Sequence, residues 1–235
     1  WVNNILLTTV LFPFPLLCIF GWVNSVAIAH GSTTALPFGT ILTMLALFAF
    51  VAFPLTVVGG ILGRNLGKDF NAPTRTKKLA RQVPEAPWFN SLLFQFCLSG
   101  FLPFSAIYIE LHYVFASVWG HKVYTLFGIL FLAFCMVIVV TAFITIATVY
   151  FQLAKEDHRW WWRSFINGAS AGGFIFMYSL YYFYGQSDMD GLLQSSFYFG
   201  YMAIASLAVA ALLGSVGFFA TLTFVRYIYS RVKTD

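Results

Sequence analysis

Charge is what this sequence has least of. Only 9% of its 235 residues are Asp, Glu, Lys or Arg, against about 25% in a soluble domain. A chain this poor in charge cannot cover a folded surface in water, so lipid must solvate it. No Asp lies inside any long apolar run, which argues against an intramembrane aspartyl protease. No His-Glu-x-x-His or Cys-x-x-Cys pattern occurs, so no catalytic or structural zinc site is expected, nor any other cofactor. The three cysteines, Cys18, Cys97 and Cys135, each sit in an apolar stretch as small hydrophobes, and no disulfide framework is implied. No Asn-x-Ser/Thr acceptor is present, so glycosylation marks neither face of a membrane. An initiator Met and a signal peptide are both missing. The chain opens Trp1-Val2-Asn3-Asn4 and is apolar almost at once. The expectation is that part of the protein lies N-terminal to it.

Apolar residues make up 60% of the chain, Phe alone occurs 28 times, and mean hydropathy is +0.81. A spanning helix needs roughly 20 mostly apolar residues. Six runs qualify: Asn4–His30, Leu36–Gly63, Phe89–Ser117, Val123–Ala154, Ser164–Gly185 and Leu192–Tyr229. The expected fold is therefore all-α, a polytopic transmembrane helical bundle filling residues 1–235. The last run exceeds what a bilayer needs, and its end should continue as a polar helical tail.

Net charge is +5, but placement matters more than the sum. Arg64, Lys68, Arg75, Lys77, Lys78, Arg81, Lys155, Arg159, Arg163, Arg226, Arg231 and Lys233 all fall in alternate connections or the C-terminal tail. The other connections hold only Lys122, together with Asp188 and Asp190. The positive-inside bias puts the first set in the cytosol. Both ends of the chain then face the cytosol. Because the basic residues sit in short connections, and no nucleic-acid-binding motif occurs, nucleic acid is rejected as a partner. Trp88, Trp119 and the run Trp160, Trp161, Trp162 mark the boundaries, where amphipathic rings suit the headgroup layer.

Several stretches carry a specific likeness. Phe70–Phe89 reads FNAPTRTKKLARQVPEAPWF, and Gly100–Trp119 reads GFLPFSAIYIELHYVFASVW. Glu156–Phe165 reads EDHRWWWRSF, Tyr198–Tyr201 reads YFGY, and Gly214–Asp235 reads GSVGFFATLTFVRYIYSRVKTD. In this order and spacing the chain resembles the transmembrane 9 superfamily, the nonaspanins. Two departures are Ala80, where the family usually has proline before Arg-Gln, and His158, where an aromatic is common. The resemblance implies nine spans behind a lumenal domain, with this chain supplying the last six. The lumenal domain and first three spans would then be its own missing N-terminal part and a partner.

The same resemblance gives meaning to Lys233-Thr234-Asp235. It matches the family's Lys-x-Asp/Glu ending, which is similar to a coatomer-binding signal for Golgi retention. An ammonium and two carboxylates within three residues suit a partner of complementary charge. The alternative is an ordinary solvated tail.

Glu110 is the one acidic residue well inside an apolar run, about seven residues or roughly 10 Å from its lumenal end. An intramembrane carboxylate is costly and points to function. It could relay protons, bind a cation or meet a polar cargo helix. It could equally be a protonated group hydrogen-bonded to a neighbouring helix. His112 is close in sequence but two residues away, so the two do not share a helix face.

Gly168-Ala169-Ser170-Ala171-Gly172 fits the Gly-x-Ser-x-Gly elbow of serine hydrolases in form only. That elbow needs a strand-turn-helix setting. Gly168 and Gly172 read better as a small-residue face for close helix contact, as do Gly59, Gly63 and Gly67. Pro13, Pro15, Pro54 and Pro103 lie inside apolar runs, where proline frees a carbonyl and kinks the helix. The basic loop with Arg75, Lys77, Lys78 and Arg81 should lie near the anionic cytosolic leaflet, as a topology determinant or a lipid contact.

Two functions fit these features, neither of them enzymatic. The first, which the resemblance implies, is an endomembrane protein of Golgi and endosomes that sorts other membrane proteins or delivers them to the surface. Its partners would be membrane lipids, transmembrane cargo proteins and coatomer at the tail. The alternative is a secondary transporter or channel using Glu110 and the broken helices.

Overall fold

The computed structural model describes residues 1–11, 13–67, 82–83, 85, 87–119, 126–187 and 191–231. Among them all regular structure is helical. Eight α-helices occur: α1 (Val2–Leu11), α2 (Pro13–Ala29), α3 (Phe38–Leu47), α4 (Phe53–Leu66), α5 (Leu92–Val118), α6 (Leu126–Leu153), α7 (Trp160–Gln186) and α8 (Leu192–Arg231).

Helices α1 and α2 together form one apolar stretch, Val2–Ala29. A π-turn at Phe48–Ala52 joins α3 to α4, and Phe53 N–H bonds the Phe48 carbonyl five residues back. Pro54 follows at once and could not have donated to a regular ladder.

By length and apolarity, five stretches are able to cross a membrane: Val2–Ala29, Phe38–Leu66, Leu92–Val118, Phe127–Leu153 and Leu192–Arg231. The sixth run is present as α7, with 27 residues, but it is too polar to qualify. It carries Arg163, Ser164, Asn167, Ser170, Ser179 and four tyrosines. The physical reason is burial. Ser164, Asn167, Ser170, Tyr178, Ser179 and Tyr182 are buried against neighbouring helices, while Met177, Tyr181 and Tyr184 are exposed. Helix α8, with 40 residues, is about 60 Å long, twice a bilayer's hydrocarbon core of about 30 Å.

The chain divides into two compact units. The first comprises Trp1–Asn71 and Met189–Ile204. Its α2 ends in a left-handed residue, Gly31 at φ +61°. Gly31 N–H bonds the Ile28 carbonyl, and Ser32 N–H bonds that of Ala27. Only glycine takes this conformation without a Cβ penalty. Asn24 Oδ1 then accepts from Leu36 N–H at 2.7 Å, holding the turn to α2. Gly60 approaches Ile5, Arg64 stacks 4.3 Å over the Trp1 ring, and Gly200 sits against Val23. No side chain of α3 or α4 is buried.

The second unit comprises Ala72–Asp188 and Ala205–Arg231, within Ala205–Asp235. Here α5 packs on α6 and α7, and α6 packs on α7. Residues Ile107, Ala133, Val137, Ala171 and Leu213, one or more from each of the four helices, form its central apolar cluster.

Candidate functional site

The interior of the second unit changes character along its length. On one side of the Ile107–Leu213 cluster it is aromatic. Tyr178 of α7 is the hub, with ring centroids 5.9 Å from Phe104, 5.5 Å from Tyr108, 5.2 Å from Phe115 and 5.9 Å from Tyr181. Its hydroxyl shares a hydrogen bond with His112 Nδ1 at 3.2 Å. His112 is otherwise exposed, and Glu110 is half-buried on the same helix. Glu110 takes no part in the His112–Tyr178 bond. The structure therefore does not bring the two sequence candidates into one group.

On the other side of the cluster the interior is polar. Helix α6 buries Thr141, Thr145, Thr148 and Gln152. Their spacing of four, three and four residues keeps all of them on one helix face. Helix α5 buries Gln95 and Ser99, the turn before it buries Asn90, and α7 buries Ser164, Asn167 and Ser170. Direct bonds knit these groups. Gln95 Nε2 donates to Asn90 Oδ1, and Asn167 Nδ2 donates to Thr148 Oγ1 at 3.3 Å. Arg163 Nη1 donates to the Asn90 carbonyl at 3.2 Å.

The α6–α7 turn positions the charge at this end. Glu156 takes φ +62°; its N–H bonds the Leu153 carbonyl, and Asp157 N–H bonds that of Gln152. This closes the helix C-terminus and delivers Asp157 to two cations. Arg159 Nε lies 3.2 Å from Asp157 Oδ1, and Arg163 Nη2 lies 3.7 Å from Oδ2. Burial pushes the Asp157 carboxyl up, but the Arg159 N–H and guanidinium and the Arg163 charge outweigh it. They hold the group below its ordinary 3.8.

Several polar atoms of this end have no hydrogen-bond partner among the described residues: Asn90 Nδ2, Gln95 Oε1, Ser99 Oγ, Thr141 Oγ1 and both amide atoms of Gln152. Pro103 adds to them, because it has no N–H for the Ser99 carbonyl four residues back.

The small residues behave differently from one another. A Cβ on Gly168 would meet the Leu213 carbonyl at 2.5 Å, and one on Gly172 would meet the Ser206 carbonyl at 2.6 Å. Those glycines let α7 and α8 touch backbone to backbone. Gly59 and Gly63 have nothing within 4 Å of that position; in α4 the close approach is at Gly60. Ser170 lies inside α7, its hydroxyl donating to the Asn167 carbonyl at 2.5 Å, far from a strand-turn-helix elbow. Trp88, Trp161 and Trp162 are exposed, as the headgroup reading expects. No group of three His, Cys, Asp or Glu side chains able to hold a metal occurs among the described residues. Arg75, Lys77, Lys78, Arg81, Lys233 and Asp235 lie outside the described residues.

The sequence matches one family. The model of endomembrane protein 70 matches residues 1–192. The chain belongs to the endomembrane protein 70 family, the transmembrane 9 superfamily. Transmembrane 9 superfamily member 4 of Arabidopsis thaliana is 52% identical over all 235 residues, which cover 40% of that protein. Member 1 of Bos taurus is 50% identical, with 39% of its length covered. A putative phagocytic receptor 1b of Dictyostelium discoideum is 54% identical, with 40% covered. The chain thus spans about 40% of the length of these transmembrane 9 relatives. No solved structure matches it. It is a multispanning membrane protein of an endomembrane family.

Sequence reasoning passed over Asn90, Gln95, Ser99, Gln152 and Asn167. For Gln152 a signal was available in α6, where it recurs with Thr141, Thr145 and Thr148 at helical spacing inside a strongly apolar run.

Proposed function

We propose that the protein carrying this chain sorts other membrane proteins, or helps deliver them to their destination, from Golgi and endosomal membranes. The observation that carries this reading is family membership across the whole chain. A relative named as a putative phagocytic receptor is 54% identical, which supports a membrane role. In this reading six helices cross the bilayer, the enclosed α7 among them, and both ends of the chain face the cytosol. The tail Lys233-Thr234-Asp235 engages coatomer. Glu110, half-buried on α5, offers a polar contact to a transmembrane cargo helix, for which leaving a carboxylate unpaired in lipid would be costly. The alternative of a transporter or channel is supported by Pro103 inside α5 and by the polar interior. However, Glu110 lies beyond Ile107 along α5 from that interior, so the two features do not make one path.

The test is replacement of Lys233 and Asp235 by Ala in the whole protein, followed by its location in cells. Departure from the Golgi is expected, and unchanged Golgi residence would remove the tail from the mechanism. Ion or solute flux in liposomes holding the purified protein would favour transport instead.

A further inference from the structure

Two stretches, one in each unit, present an apolar outer face of the same length. In α6 the polar residues Thr141, Thr145, Thr148 and Gln152 are all buried. Every exposed side chain from Phe127 to Phe151 is therefore apolar, the Tyr150 hydroxyl apart. Phe127, Phe131, Val139, Phe143 and Phe151 are 53–84% exposed. This face runs about 36 Å along the helix, and exposed Lys155 follows its end.

In the first unit, no side chain of α3 or α4 is buried. From Phe38 to Leu62 the stretch again runs about 36 Å, and exposed Arg64 closes it. Its only polar side chains are Thr40, Thr43 and Thr56. Thr43 donates to the Gly39 carbonyl at 2.9 Å and Thr56 to the Ala52 carbonyl at 2.8 Å, so these hydroxyls are satisfied without water. Helix α5 exposes Ser105 and His112, and each has a partner within the second unit: the Leu102 carbonyl and the Tyr178 hydroxyl.

Length decides which bilayer such faces fit. Apolar side chains pushed past the hydrocarbon meet headgroups and water, at a cost that rises with each ångström of mismatch. The hydrocarbon is about 27 Å thick in an endoplasmic-reticulum bilayer and about 32–33 Å in one rich in sterol and sphingolipid. A face of about 36 Å fits the thin bilayer only at a tilt of about 41°, past the observed range of about 0–40°. It fits the thick one at about 25°, close to the ordinary tilt of about 20°.

We propose that the spanning helices are matched to a thick bilayer of the sterol- and sphingolipid-rich kind. The match is a sorting determinant within the membrane domain itself, drawing the protein toward such membranes and away from thin ones. The inference rests on these helices crossing a membrane, and not on the tail signal or on Glu110.

Lipid selection by the whole purified protein tests this. The protein is reconstituted in sterol-free phosphatidylcholine bilayers whose hydrocarbon thickness runs from about 24 to about 36 Å. Quenching of its tryptophans by brominated phosphatidylcholines of each chain length reads relative affinity, since Trp22, Trp161 and Trp162 are exposed. Affinity should peak between about 31 and 34 Å, about threefold above its value at about 27 Å. A peak near 27 Å or below, or equal affinity across the series, would overturn the match. Phe38→Asp combined with Phe127→Asp then shortens both faces at one end. The two phenylalanines are 79% and 84% exposed and lie in the first turns of α3 and α6, where an acidic side chain suits the helix dipole, so folding is spared. The peak should move to a bilayer about 4–6 Å thinner. A peak that stays in place would overturn the proposal equally. The measurement contains no coat and no cargo, so its failure would leave the sorting role standing.

Discussion

Arg163 and Asn90 are 73 residues apart in the chain, yet the guanidinium of one donates to the carbonyl of the other at 3.2 Å. The same guanidinium lies 3.7 Å from Asp157. One side chain therefore ties the first turn of α7 both to the start of α5 and to the α6–α7 turn. Replacing it with Ala leaves a buried carboxylate short of one cation and a buried carbonyl short of one donor. Arg163→Ala should cost about 2–3 kcal/mol, read as a lower thermal midpoint. Arg163→Lys should recover only part, since one ammonium cannot reproduce the planar fork.

Asp157 gives the protein a pH dependence of known sign. Its folded pKa lies below the ordinary 3.8. Its contribution is therefore fully present above that value and is lost as pH falls through the lowered folded value. The thermal midpoint of Asp157→Asn should sit below that of the unsubstituted protein near neutrality. The gap should narrow as pH drops below 3.8. A gap that stays constant with pH would mean that the carboxylate charge contributes nothing.

The glycines divide by what their Cβ would meet. Gly168→Leu forces α7 off the α8 backbone near Leu213 and should cost about 2 kcal/mol or more. Gly172→Leu should behave alike. Gly59→Ala and Gly63→Ala have open space around them and should stabilise their helix by about 0.5–1 kcal/mol each. Thermal unfolding of the four variants in one detergent compares them directly. Destabilisation by Gly63→Ala would contradict the open space around that position.

Glu110 tests the cargo reading. Glu110→Gln keeps the size while exchanging the carboxyl for an amide, so it should leave the fold and the His112–Tyr178 bond intact. Recovery of transmembrane cargo with the purified protein should fall. Unchanged recovery would assign Glu110 to structure alone.

Much of this architecture is legible in the chain because lipid imposes so blunt a pattern. The helical stretches follow from apolar length, and the π-turn before Pro54 follows from proline's missing donor. Helix α7 shows where that pattern fails. Its polar side chains are hidden from lipid by neighbours, so average apolarity understates it, although its length does not. The polar interior was harder to foresee. Gln95 and Asn90 look like boundary residues in sequence, and only packing buries them. Gly168 and Gly59 show the same limit, since equal spacing says nothing about which face has a neighbour.

The sorting of cationic side chains to one face of the bilayer underlies the orientation and the proposed tail signal. Impermeant labelling of cysteines placed in the 75–81 stretch and at the carboxyl terminus, in sealed and then permeabilised membranes, tests it most directly. The account predicts that both label only when the cytosolic face is accessible. Labelling of the two from opposite faces would contradict it.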